Sequence, residues 1–109
     1  MRIIYNKFIP FGKRYHAINL CGIVFAKGPC DKETINHERI HTAQMAEMAI
    51  IFFYLWYVVE WCVRLIQHHN IYEAYRNISF EKEAYANMSN LSYLKARQPY
   101  AGFKFLSKK

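Results

Sequence analysis

Glycine and proline are scarce in this sequence, and neither occurs between Pro29 and Pro99. An unpunctuated stretch of that length excludes a loop-rich or all-β body and predicts a helical one over residues 31–97. Cysteine is sparse too. Cys21, Cys30 and Cys62 are odd in number and have no CxxC spacing, which argues against a zinc ribbon or a disulfide framework and predicts a reducing, cytoplasmic setting. Acidic residues are missing from both ends: all lie between Asp31 and Glu83, within a net charge of +7. Basic ends suit solubility, and they could also meet an anionic membrane. No nucleic-acid-binding motif accompanies them, so nucleic acid is not an expected partner.

Long uncharged runs are lacking as well. At the N-terminus, Asn6, Lys7, Pro10 and Lys13 interrupt any secretory h-region. The most apolar segment, MAIIFFYLWYVVEWCVRLIQHHN, meets Glu60 and Arg64 before reaching the roughly 20 residues of a membrane span. A buried central helix is expected from it. The alternative is a peripheral membrane contact, with Trp56, Tyr57 and Trp61 at the interface.

What is present fits one small domain of 109 residues. Its fold class is α+β and mainly helical: short N-terminal antiparallel strands over residues 1–28, a bundle of three or four helices over 31–97, and a basic, aromatic tail over 98–109 that packs back on the body. RIIYNKFI and YHAINLCGIVFAKG are rich in β-formers and are expected as two short strands paired as a hairpin. After Gly28-Pro29, Asp31 suits an N-cap, with Glu33 in the first turn. His68-His69-Asn70 suits a helix end, Asn70 taking the left-handed position. Ser79 is the expected N-cap of a last helix whose buried stripe is Phe80, Ala84, Met88 and Leu91.

Within the first helix, His37, Glu38 and His41 form HExxH, in TINHERIHTAQM. Histidines one turn apart share a face with Gln44 and Met48 and can direct two imidazole nitrogens at one zinc ion. The adjacent Glu38 then stands beside the metal, placed to take a proton from a water. A catalytic zinc needs a third protein ligand, and Glu60, His68, His69, Glu73, Glu81 and Glu83 follow downstream. Periodicity does not separate Glu81 from Glu83, which flank the apolar stripe at similar angles.

HExxH after short strands, with a later helix carrying FEKEAY, resembles the gluzincin metallopeptidases. The likeness is to the small soluble minigluzincins, to the catalytic cores of CAAX-type membrane proteases, and to a group of small bacterial proteins sharing NHExIHTAQ and FExEAY. It spans most of the chain up to Tyr85, but its specific part is the two short motifs. The resemblance implies a Zn2+ centre of His37, His41 and Glu81, with Glu83 the alternative third ligand and Glu38 the catalytic base. Tyr85 stands where those families place an aspartate that orients a ligand histidine. It also implies that AINLCGIVF pairs with an extended peptide or protein substrate. Tyr72, Tyr75 and Arg76 are candidate oxyanion donors.

A Glu81 ligand has a geometric consequence. In one straight helix His69 would lie about 42 Å beyond His41, and the roughly 12 steps to Glu81 recover that distance only fully extended. The chain must therefore reverse between Gln44 and Val59. The expected function is a zinc-dependent peptidase; the alternative is a non-catalytic metal-binding or interaction module on the same scaffold.

Overall fold

The computed structural model describes residues 2–7 and 15–106. Phe8 and Ile9 of the first expected strand, and Lys13, Arg14, Lys108 and Lys109 of the basic ends, lie outside them. The fold is α+β and mainly helical. Among the described residues three strands, β1 (Arg2–Tyr5), β2 (Ala17–Leu20) and β3 (Ile23–Ala26), precede five helices: α1 (Lys32–Glu47), α2 (Ile51–His68), α3 (Ile71–Arg76), α4 (Ser79–Asn87) and α5 (Tyr93–Ala96). A 3₁₀ turn over Ala101–Phe105 follows.

The sheet corrects the two-strand hairpin. YHAINLCGIVFAKG is itself a hairpin, split where Cys21 and Gly22 both take positive φ (54° and 89°), the backbone a tight two-residue β-turn requires. The Asn19 side chain accepts from Gly22 N at 2.9 Å and holds that turn. β1 pairs parallel to β3, not antiparallel, so the order β1-β3-β2 leaves β2 at an edge.

Asp31 caps α1 as expected, its carboxylate accepting from Thr34 N at 2.7 Å. The reversal falls at Met48–Ile50, and α1 and α2 meet at 112°. Ala49 and Ile50 make it with φ of 52° and 59°. No glycine or proline marks the place, and a β-branched residue there is strained.

Because of that turn α2 is not a buried central helix. Only Phe53 and Glu60 of its residues are buried, while Ile51, Phe52, Leu55 and Ile66 are exposed. One narrow face, Phe53, Tyr57, Glu60 and Arg64 at helical spacing, packs inward. Phe53 joins Met45, Ile78 and Phe80 in the core, with Tyr57, Trp61 and Phe103 against it. Among the described residues no single helix is long and apolar enough to cross a membrane.

Three helix ends differ from expectation, the first through a local cap and the other two because a distant side chain takes over. His69, not Asn70, adopts the left-handed conformation (φ 55°), and Asn70 instead caps α3 by accepting from Glu73 N at 3.0 Å. Ser79 is the first residue of α4 and not its N-cap; Glu60 caps that helix from α2, accepting from Ser79 N and Ser79 Oγ at 2.6 Å each. α4 stops at Asn87, where the buried Asn36 amide donates to the carbonyls of Asn87, Met88 and Asn90 at 2.9–3.2 Å. Leu91 is therefore off the buried stripe and 55% exposed. The tail does pack back: Gly102 sits against Phe80, and a Cβ there would lie 2.8 Å from the Phe80 ring.

Candidate metal centre

α1 and α4 lie side by side, which brings His37 and His41 against Glu81 although 44 and 40 residues, respectively, separate them from it in sequence. Glu81 Oε1 is 3.0 Å from His37 Nε2 and 2.9 Å from His41 Nε2, and the two Nε2 atoms are 3.1 Å apart. All three residues are buried. His37, Glu38 and His41 each place a ligand atom within 4.8 Å of the others, and this buried group could hold a metal ion. Glu83 does not reach the imidazoles. Its fully buried carboxylate is bound by Gln44 Nε2 at 2.9 Å, Tyr93 Oη at 2.7 Å and the Arg97 guanidinium.

The protons of the centre follow from its neighbours. Gln44 Nε2 donates to Phe80 O and Glu83 Oε1, which turns Gln44 Oε1 toward His41 Nδ1 at 2.7 Å. An amide oxygen only accepts, so His41 Nδ1 carries a hydrogen and, in the neutral ring, Nε2 is left with a lone pair aimed at Glu81. Two acceptors at 2.9 Å repel unless a proton or a cation lies between them. His37 Nδ1 is buried with no hydrogen-bond partner among the described residues. Two imidazole nitrogens and a carboxylate oxygen converge here, a donor set that a metal ion takes once the ring nitrogens facing Glu81 give up their protons. Their 2.9–3.1 Å separations approach the roughly 3.3 Å edge of a tetrahedron with 2.0–2.1 Å bonds. The residues fit a metal.

The ionisation of the cluster fits the same geometry. Burial works against the His41 cation, but the Glu81 charge and hydrogen bond outweigh it and raise His41 to about 9. Burial holds His37 below its ordinary value, against the pull of Glu81. Glu81 is buried, yet the His41 charge and hydrogen bonds from both imidazoles keep its carboxyl well below the usual range. Burial pushes Glu38 up to about 7. Among the described residues the Glu38 carboxylate makes no hydrogen bond, and it opens into a cleft of about 560 Å³.

That cleft runs between β2 and α2 with Glu38, His41 and Glu81 at its floor. β2, the edge strand, forms one wall and is tied to α1 by Asn19 Nδ2, which donates to Glu38 O and Thr42 Oγ1 at 2.8 Å. Tyr54 of α2 crosses to the same edge, its hydroxyl lying 2.8 Å from Cys21 N and 3.3 Å from Asn19 O.

Of the three candidate oxyanion donors, only Tyr75 lines this cleft. Tyr72 and Arg76 line a separate pocket with Tyr85. Tyr85 does not hydrogen-bond a histidine: its ring stands edge-on to His37 at 4.4 Å, and its hydroxyl pairs with Tyr75 Oη at 2.7 Å. Its contact with His37 is therefore one of ring against ring. Tyr57 is a site residue the sequence reading missed. Its hydroxyl donates to Glu81 Oε2 at 2.7 Å, and burial beside that carboxylate raises its pKa far enough to keep the proton on. The signal was the polar stripe Tyr57, Glu60, Arg64 inside an otherwise apolar helix. No protein-family model, curated protein or solved structure matches this chain.

Proposed function

We propose that this protein is a zinc-dependent peptidase. The reading is carried by one observation: His37 Nε2, His41 Nε2 and Glu81 Oε1 converge within 3.1 Å, and His41 and Glu81 line a cleft together with the unpaired carboxylate of Glu38. His37, His41 and Glu81 would hold the ion, which when bound supplies a Lewis acid for a scissile carbonyl and a nucleophilic water at neutral pH. Glu38, whose carboxylate opens into the cleft without a hydrogen-bond partner among the described residues, would hold a proton given up by an attacking water and return it to the leaving amine. Tyr57 holds Glu81 through its second oxygen, leaving Oε1 toward the imidazoles. Tyr75, the candidate oxyanion donor that lines the cleft, would serve an oxyanion while accepting from Tyr85. β2 offers an edge for an extended peptide.

A non-catalytic scaffold is the second reading, favoured by the fact that a proton on His41 closes the His41–Glu81 pair without any metal. Glu38→Gln separates the two. With zinc loaded, the variant should keep the metal while losing more than about 100-fold in cleavage of an internally quenched peptide library. Zinc binding with no cleavage by the wild type would leave the scaffold reading standing and remove the peptidase.

A further inference from the structure

The face of α2 opposite the metal centre has no partner among the described residues. Ile51, Phe52, Leu55, Val58, Val59 and Ile66 are each more than half exposed, and Trp56, Cys62 and Val63 lie among them. From Ile51 to Ile66 every exposed side chain is uncharged, because Glu60 and Arg64 point inward to Ser79 and to Leu106 O. At 100° per residue these positions cover an arc of about 160°, along a helix about 27 Å long. They present on the order of 1000 Å² of apolar surface, beyond the roughly 300–600 Å² of the largest patch on a typical monomer.

Three observations identify what covers it. The arc is wider than the narrow seam by which two single helices pair, whereas a flat lipid surface covers a wide arc. The chain carries a net charge of +7, so two copies placed face to face repel while an anionic surface attracts. Trp56 stands at the margin of the arc, its Nε1 satisfied internally by Glu60 Oε1 at 3.0 Å, a placement suited to the headgroup boundary. We infer that the exposed face of α2 docks this protein on an anionic lipid bilayer, apolar side chains inserted at the level of the headgroups and upper acyl chains.

The docked face continues into the cleft. Val58 belongs both to the exposed arc and to the cleft wall, and Ile18 and Leu20 of β2 stand on the opposite wall. In the docked orientation the mouth of the cleft opens at the edge of the contact, which suits it to apolar peptide segments at the bilayer surface. That consequence rests on the peptidase reading; the docking itself does not.

Docking is tested without any assay of hydrolysis, so its failure is distinct from failure of the peptidase reading. The full chain is sedimented with vesicles of phosphatidylcholine containing phosphatidylglycerol, and tryptophan emission is followed in parallel. The wild type should pellet and its emission shift to shorter wavelength. Leu55→Gln/Val59→Gln/Ile66→Gln keeps the net charge and replaces only exposed positions with a good helix former. It should weaken binding by more than about tenfold, with an unchanged far-ultraviolet circular dichroism spectrum. Equal binding by the triple variant would overturn the proposal, since attraction would then come from charge alone. A wild type that ignores vesicles would also overturn it, and a dimer in sedimentation velocity that the triple variant abolishes would assign the face to a second copy.

Discussion

Gln44 Oε1 stands 2.7 Å from His41 Nδ1 and fixes which nitrogen of that ring carries the hydrogen. The amide is itself locked, since its other end donates to Phe80 O and to Glu83. A neutral amide thus does here what an orienting carboxylate does at many metal sites, and the carboxylate, Glu83, stands one step further out. Gln44→Ala should leave the fold cooperative but weaken zinc affinity by about 10–100-fold, read by competition with a chromophoric chelator. Unchanged affinity would show that the ring needs no such support.

Glu60 has a different task. Its carboxylate is buried on α2 and accepts both the backbone N–H and the hydroxyl of Ser79, pinning the start of the helix that carries Glu81. Glu60→Ala leaves those buried donors without a partner. A loss of about 2 kcal/mol in urea unfolding is expected, and a change under about 0.5 kcal/mol would mean water replaces the cap.

The Glu83–Arg97 pair sets a pH dependence. Glu83 is buried, and hydrogen bonds from Arg97, Gln44 and Tyr93 hold its carboxyl below the ordinary 4.5. A depressed carboxyl contributes its stability in full above the unfolded value and loses it as pH falls toward the folded one. The wild type should therefore lose stability relative to Glu83→Gln as pH drops below about 4.5, with a constant difference between pH 6 and 8. Parallel stability curves through the acid range would sink this assignment.

Gly102 is required by space, not by backbone conformation. A methyl group there would meet the Phe80 ring at 2.8 Å and Glu83 Oε1 at 3.2 Å. Gly102→Ala should cost about 1–3 kcal/mol through overpacking, visible as a lowered Tm. No loss would show that the 3₁₀ turn is free to shift away from α4.

What could be read from the sequence was local or periodic. HExxH on one helix face, the Asp31 cap and the mainly helical fold follow from spacing and capping chemistry. The need for a reversal after Gln44 follows from chain length, but its place does not, because Ala49 and Ile50 carry no turn chemistry and yet both take positive φ. The exposure of α2 was hidden for a related reason: an all-apolar helix looks the same in a core and on an unpartnered surface. Gln44, Tyr57, Glu60 and Asn36 act on groups far along the chain, so their roles become visible only when α1, α2 and α4 are side by side. Tyr85 could be placed near His37 but not its hydroxyl, which turns to Tyr75.

The central claim is a metal held across two helices, and zinc content per chain tests it most directly. After zinc loading and gel filtration, elemental analysis of the wild type should give one zinc per chain, and Glu81→Ala and His41→Ala should each give close to none while remaining folded. A folded wild type without zinc, or equal zinc in all three proteins, would contradict it.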